Sequence, residues 1–207
     1  MKYKFVVSGA AETGLCAPDA DKKAYQVGQE IVKQGGILIS GATKGIPDFA
    51  AKGAKDAGGI SIGLSPASSL AAHVKSYRLP IENYDLIVYT GFDYAGRNLL
   101  LTRSADAVIT ICGRMGTLNE FTIAFEDNKP IGILEGTGGM ADEIAHIVDI
   151  AHRGKGKIVY DSDPARLVAK LIELIEAEQG EIVHPIIHHT DGGKATEYDD
   201  SFQKTGE

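Results

Sequence analysis

The sequence predicts an α/β fold with a doubly wound, mainly parallel sheet of about seven strands. Three observations carry this prediction. Short, continuously apolar, β-branched runs recur along the chain, mostly bounded by glycine, as strands buried on both faces require. Segments of helical periodicity separate these runs, so strand–helix–strand units repeat. Parallel strands joined through helices take right-handed crossovers, which sets the winding.

The first strand covers residues 4–8 (KFVVS). The helix after it places Ala20, Ala24, Val27 and Ile31 on one face and stops at Gly35 and Gly36. Residues 37–40 (ILIS) form the second strand, and Pro47 suits the first position of the next helix, PDFAAKGAKDA, which stops at Gly58 and Gly59. Further strands follow at residues 60–63, 85–89, 107–111, 130–134 and 157–160. Further helices are expected at residues 95–104, 117–127, 141–152 and 164–178. These make one domain over residues 1–180, and no internal repeat or second domain is evident. The segment GEIVHPIIHH from Gly180 is a candidate edge strand, and residues 181–207 read as a polar, acidic tail.

Bulk properties exclude some classes of function. The 207 residues are enough for one domain with a real core, and 43% hydrophobic with 24% charged residues is ordinary for a globular protein. A net charge of −7 gives no electrostatic footprint for nucleic acid or an anionic membrane. Any anionic ligand must therefore be held by a local site. Two cysteines, Cys16 and Cys112, are too few for a disulfide framework and read as small apolar fillers in a reducing cytosol. No apolar run suits a signal or a membrane span, so the expectation is a soluble, cytoplasmic protein.

In open α/β sheets ligands sit beyond the carboxyl ends of the strands. Five loops fall there: residues 8–15 (SGAAETGL), 41–47 (GATKGIP), 90–96 (TGFDYAG), 112–117 (CGRMGT) and 135–140 (EGTGGM). Glycine lets backbone N–H groups approach an anion, and a following helix N-terminus adds partial positive charge. Their number points to a phosphate-bearing ligand, with Ser8, Gly9, Gly41 and Gly45 as binding candidates in the first two. Familiar nucleotide motifs fit poorly. Gly9 to Gly14 lacks the middle glycine of G-x-G-x-x-G, no acid ends ILIS, and Gly41 to Gly45 lacks the Gly-Lys-Ser/Thr ending of a Walker A loop.

The most informative stretch is ICGRMGTLNE, residues 111–120. Gly113 and Gly116 let the chain turn, Arg114 lies between them, and Thr117 opens a helix able to hold a phosphate. Glu120 follows one turn in, and Arg97 begins a helix aimed at the same edge. An arginine and a carboxylate beside a phosphate cradle suit chemistry on a sugar phosphate. The arginine anchors, and the carboxylate stabilises an oxocarbenium-like centre or moves a proton. Glu120 also fits a helix-dipole or capping-box role with Thr117. Arg103 reads as a surface ion pair, while Asp93 and Tyr94 fit either a turn or a contact to a base or sugar. The loop at residues 136–139 is expected to touch ligand. His184, His188 and His189, near Asp191, read as solvated rather than metal-binding.

On these residues the sequence resembles the LOG-like ("lonely guy") phosphoribohydrolases, formerly mislabelled lysine decarboxylases. Their wider Rossmann-like nucleotide-binding superfamily includes molybdenum-cofactor carrier proteins. The motif P-G-G-x-G-T-x-x-E lies over CGRMGTLNE, with Gly113, Gly116, Thr117 and Glu120 matching. Cys112 stands in place of Pro, Arg114 in place of the second Gly, and the family's Arg-Lys pair falls on Arg97 and Asn98. The resemblance implies a Rossmann-like homodimer, with no metal or cofactor, that hydrolyses a nucleoside 5′-monophosphate to base and ribose 5-phosphate. It implies catalytic roles for Arg97 and Glu120 and phosphate binding by Gly113, Gly116 and Thr117. Its alternative is a non-catalytic nucleotide or molybdenum-cofactor carrier, because TGFDYAGRN is more similar to that branch.

Overall fold

The structure is a computed structural model that describes residues 2–183. Its strands are β1 (Lys4–Gly9), β2 (Ile37–Ser40), β3 (Ser61–Ser65), β4 (Leu86–Tyr89), β5 (Ala107–Ile111), β6 (Ile131–Leu134) and β7 (Ile158–Asp161). Between and after them lie α1 (Ala20–Lys33), α2 (Ile46–Asp56), α3 (Asp93–Arg103), α4 (Met115–Glu126), α5 (Gly139–Ala151) and α6 (Pro164–Val183). All seven strands are parallel, in the order β4-β3-β2-β1-β5-β6-β7. The doubly wound, Rossmann-like α/β prediction holds.

Strand order follows from two core layers. Phe5, Val7 and Ile109 face α1, α2 and α6, while Val6, Val108 and Ile133 face α3, α4 and α5. Strands buried on both sides need apolar residues at every position, which is why alternation is absent from their sequences. The two edge strands are the exceptions. On β4, Leu86 and Val88 are 55% and 44% exposed, and β7 is partly buried over most of its length.

α1 and α2 cross with unusually little between them. A Cβ on Gly28 would lie 2.0 Å from the Ala50 carbonyl oxygen, and one on Gly53 would lie 2.0 Å from that of Tyr25. The two bare backbones let the helices touch.

Several helices begin earlier than predicted. α2 starts at Ile46 rather than Pro47, α3 at Asp93 rather than residue 95, α4 at Met115 rather than Thr117, and α5 at Gly139. At α2 and α5 the chain enters through Gly45 and Gly138, whose φ values of 72° and 78° let it turn sharply into the helix. At the other end, α6 carries the chain through Val183, so Gly180 to Val183 are helical rather than an edge strand. The tail beyond it, with His184, His188, His189 and Asp191, lies outside the described residues.

The cysteines are also not as expected. Cys16 and Cys112 form a disulfide, with their Cα atoms 5.6 Å apart and 96 residues between their positions. β1 and β5 are neighbours, so the loops at their carboxyl ends meet. Two separate apolar thiols is therefore the wrong description.

Candidate functional site

The cleft lies where the sheet reverses direction of winding, between β1 and β5. A cavity of about 380 Å³ opens there, within the range of small-molecule sites. Gly9, Gly41, Arg97, Arg114, Gly116, Thr117 and Glu120, all candidates from the sequence, line it.

The floor is a buried polar cluster. Arg97, in the second turn of α3, donates from Nη1 to Glu120 Oε1 at 3.2 Å, with the two side chains only 5% and 8% exposed. Ser8 Oγ donates to Glu120 Oε2. With its amide turned, Asn98 donates to Glu120 Oε1 and to the Tyr94 carbonyl, each at 2.9 Å. Burial pushes the Glu120 carboxyl above the usual carboxylate range, while the Arg97 charge and the Ser8 hydrogen bond pull it back. Among the described residues, Arg97 Nε has no hydrogen-bond partner despite being buried. A donor left this way is unfavourable.

Glycines make room for this cluster. A Cβ on Gly41 would fall 2.1 Å from Arg97 Nη1, so only glycine lets the guanidinium lie against the β2–α2 loop. A Cβ on Gly9 would meet Ile46 Cγ2 at 2.3 Å and the Ile111 carbonyl at 2.6 Å. Beneath them Ser40 Oγ and Tyr84 Oη share a 3.0 Å hydrogen bond, and burial raises the Tyr84 pKa, keeping the phenol neutral.

The candidate anion cradle is the start of α4. Cys112 and Gly113 take φ values of 52° and 99°, turning the chain so that Arg114 becomes the N-cap. Proline, fixed near −65°, could not adopt the Cys112 angle. The turn therefore differs from the one the resembled motif would form. Amides of Met115, Gly116 and Thr117 have no carbonyl four residues back within the helix, and together with the helix dipole they favour an anion. Nothing lies within 4 Å of a Cβ position on Gly116, so the backbone there is open to the cavity.

Some expected residues contribute differently. Ser8 acts through Glu120. Gly113 packs on Thr117, 2.4 Å from its Cγ2 were a Cβ present. Gly45 abuts the Ala10 carbonyl, which accepts from Ile46 N. None of these three lines the cavity. The loop at residues 136–139 does not either. Thr137 Oγ1 accepts from Cys112 N and donates to the Leu134 carbonyl, and Met140 N donates to Gly113 O. The loop thus holds the Cys112–Gly113 turn from behind. Arg103 pairs with Asp127 at 2.9 Å, away from the cleft. Glu120 serves no cap, because α4 has no side-chain N-cap hydrogen bond. Of the two residues left open, Tyr94 lines the cavity and Asp93 accepts from Tyr77 Oη. Glu12, Thr43 and Asn98 also line it. Glu12 and Thr43 carried no signal beyond membership of the glycine-rich loops. At the mouth Arg114 Nη1 reaches Glu12 Oε2 at 3.0 Å, an exposed pair joining two loops.

Among the described residues no three His, Cys, Asp or Glu side chains converge as a metal-ligand set, and no helix is long and apolar enough to cross a membrane.

Comparisons with known proteins agree with this architecture. An uncharacterised protein of Archaeoglobus fulgidus is 30% identical over 132 residues, 64% of this chain and 82% of that protein. The X-ray structure of TM1055 superposes with a TM-score of 0.71 at 26% identity, covering 84% of this chain and 99% of that one. The molybdenum cofactor binding protein of Rippkaea orientalis gives 0.66 at 28% identity, covering 86% and 98%. The molybdenum cofactor carrier protein of Chlamydomonas reinhardtii shares the fold, with a TM-score of 0.67 at 24% identity over 85% and 99%. The family model described as the SLOG cluster4 family matches residues 2–168, nearly the whole of the fold above, and the chain belongs to that family.

Proposed function

We propose that this protein binds and holds a phosphate-bearing, nucleotide-like heteroaromatic ligand, a class that includes molybdopterin-type cofactors, and releases it unchanged. One observation carries the reading. A buried arginine held by Glu120 stands beside a helix N-terminus with open backbone, and both line one cavity of ligand size. A phosphate on the α4 amides and Thr117 leaves the ring system to run towards Tyr94, which is half-exposed at the rim. The likeness to a molybdenum cofactor binding protein at 28% identity supports a carrier.

Glu120 supports holding over turnover. Its carboxylate already accepts from Ser8, Arg97 and Asn98, so it fixes Arg97 in place. Asn98, where the LOG-like pattern has lysine, also removes a cation from the site. A second reading keeps the phosphoribohydrolase. Glu120 lines the cavity and burial raises its pKa, as a general acid cleaving an N-glycosidic bond would need.

A panel of nucleoside 5′-monophosphates separates the readings. Retention should raise the melting temperature with some members, by the equivalent of about 2.7 kcal/mol at a hundredfold excess over Kd, with no free base on chromatography. Base release that disappears in Glu120→Gln would make the protein the hydrolase. No thermal shift with any member would remove the ligand site.

The protein is further proposed to be a homodimer through the β4 edge. Leu86 and Val88 there, and Phe92, Leu99 and Leu100 in the loop and helix after it, are all exposed large apolar residues. A cluster of this kind is more typical of an interface than of free surface. Light scattering is expected to give twice the chain mass, and Leu86→Lys with Val88→Lys to give the single mass.

A further inference from the structure

The Cys16–Cys112 disulfide joins the two loops that form the mouth of the cleft. On one side Ala10, Ala11 and Glu12 line the cavity, with Cys16 four residues past Glu12. On the other, Cys112 leads directly into Gly113, Arg114, Gly116 and Thr117. Apart from the covalent link, these loops are joined by the exposed Arg114–Glu12 pair, of a type that contributes little. A few backbone bonds supplement it from the neighbouring loop, including Ala17 N to the Thr137 carbonyl.

We propose that this disulfide is a redox latch on the ligand cleft: oxidised, it holds the β1–α1 loop against the turn that opens α4, and its reduction frees that loop and releases the ligand. The inference rests on the ligand site proposed above. The two sulfurs are unequal. Cys16 is half-buried and reachable, whereas Cys112 is fully buried. A thiolate of a dithiol reductant therefore attacks Cys16 Sγ. The S–S bond breaks, a mixed disulfide forms at Cys16, and Cys112 leaves as a thiolate and takes a proton. The reductant's second thiol then displaces Cys16. Two protein thiols and one oxidised dithiol result, with two electrons transferred. The leaving thiolate is well placed, because Cys112 Sγ lies 3.0 Å from a Cβ position on Gly139, the first residue of α5. A helix N-terminus stabilises a thiolate.

Reduction matters to the site through the β1–α1 loop, which carries Ala10, Ala11 and Glu12 at the cavity wall. Cys112 keeps its hydrogen bonds to Thr137 and Ala141 once the bond is cut, so the hold that is lost is the one on that loop. Loss of this preorganisation weakens binding without removing any contacting residue.

The experiment measures adenosine 5′-monophosphate binding by calorimetry to oxidised protein, to dithiothreitol-reduced protein, and to Cys16→Ala. Hydrogen exchange at residues 10–17 and 112–117 is followed on the same samples. Affinity about tenfold weaker after reduction is expected, with Cys16→Ala matching the reduced form and indifferent to dithiothreitol. Equal affinity in all three overturns the latch. Should this nucleotide bind none of them, the measurement is repeated with a panel member that raises the melting temperature, and if none does the ligand site and the latch on it fail together. Unchanged exchange on reduction overturns the covalent hold on the loop whichever nucleotide binds.

Discussion

Arg97→Met is expected to lower stability by about 3–5 kcal/mol at pH 8, read from urea unfolding. The loss comes less from the missing contact than from what stays behind. Glu120 would be a buried carboxylate keeping only Ser8 and Asn98 as donors. The pH dependence has a definite sign. Burial already raises the folded-state pKa of Glu120 above its unfolded value, and removing the arginine raises it further. The folded state then binds the proton more tightly than the unfolded one. That stabilising contribution is complete below the unfolded carboxylate range and is lost as pH rises through the raised folded pKa. The variant should therefore unfold at clearly lower urea at pH 8 than at pH 5. Adding Glu120→Gln should recover much of the loss at pH 8, because the stranded charge is gone. Equal losses at the two pH values, or no recovery in the double variant, would show that Glu120 and Arg97 are not the coupled pair described.

Gly28→Ala sets two effects against each other. Helix propensity alone favours alanine by about 1 kcal/mol. Packing opposes it, since the new methyl would sit 2.0 Å from the backbone oxygen of Ala50, an atom that cannot swing aside. α1 and α2 would have to separate along an interface that includes Val27, Ile31, Ala50 and Ala54. Packing should win, giving a net loss of about 2 kcal/mol. Gly116→Ala is the matched control. It too is helical, with nothing within 4 Å of its Cβ position, so stability should hold while ligand binding falls. A Gly28→Ala protein as stable as the parent would mean that the helices do not meet this closely.

Most of the fold was legible because a strand buried on both faces has little choice of residue. KFVVS, ILIS and AVITI admit no other reading between glycine-marked turns. DLIVY looked the same yet lies at the edge, and only strand order distinguishes the two situations. Arg97 and Glu120 were readable together because the spacing in ICGRMGTLNE, with GRN upstream, carries a family pattern. Their partner Ser8 was placed on phosphate instead, since which face the end of β1 presents depends on the α3 and α4 positions. The turn at Cys112 hid the true start of α4, because nothing in a cysteine announces a positive φ. EGTGGM has the composition of a ligand loop and serves as a buttress; glycine and threonine suit both tasks. The cysteine pairing was invisible for a related reason. Adjacency of β1 and β5 is a property of the sheet, not of the spacing between Cys16 and Cys112.

That pairing also decides what happens when the backbone is cut. The covalent ring between Cys16 and Cys112 encloses β2, β3, β4 and β5, four of the seven strands. Residues 68–71 lie exposed on the β3–β4 connection, open to a protease. A nick there yields a two-chain molecule rather than two fragments, and its pieces part on a denaturing gel only when thiol is added. Proteolytic damage to this protein is thus silent in mass until it reaches a reducing environment.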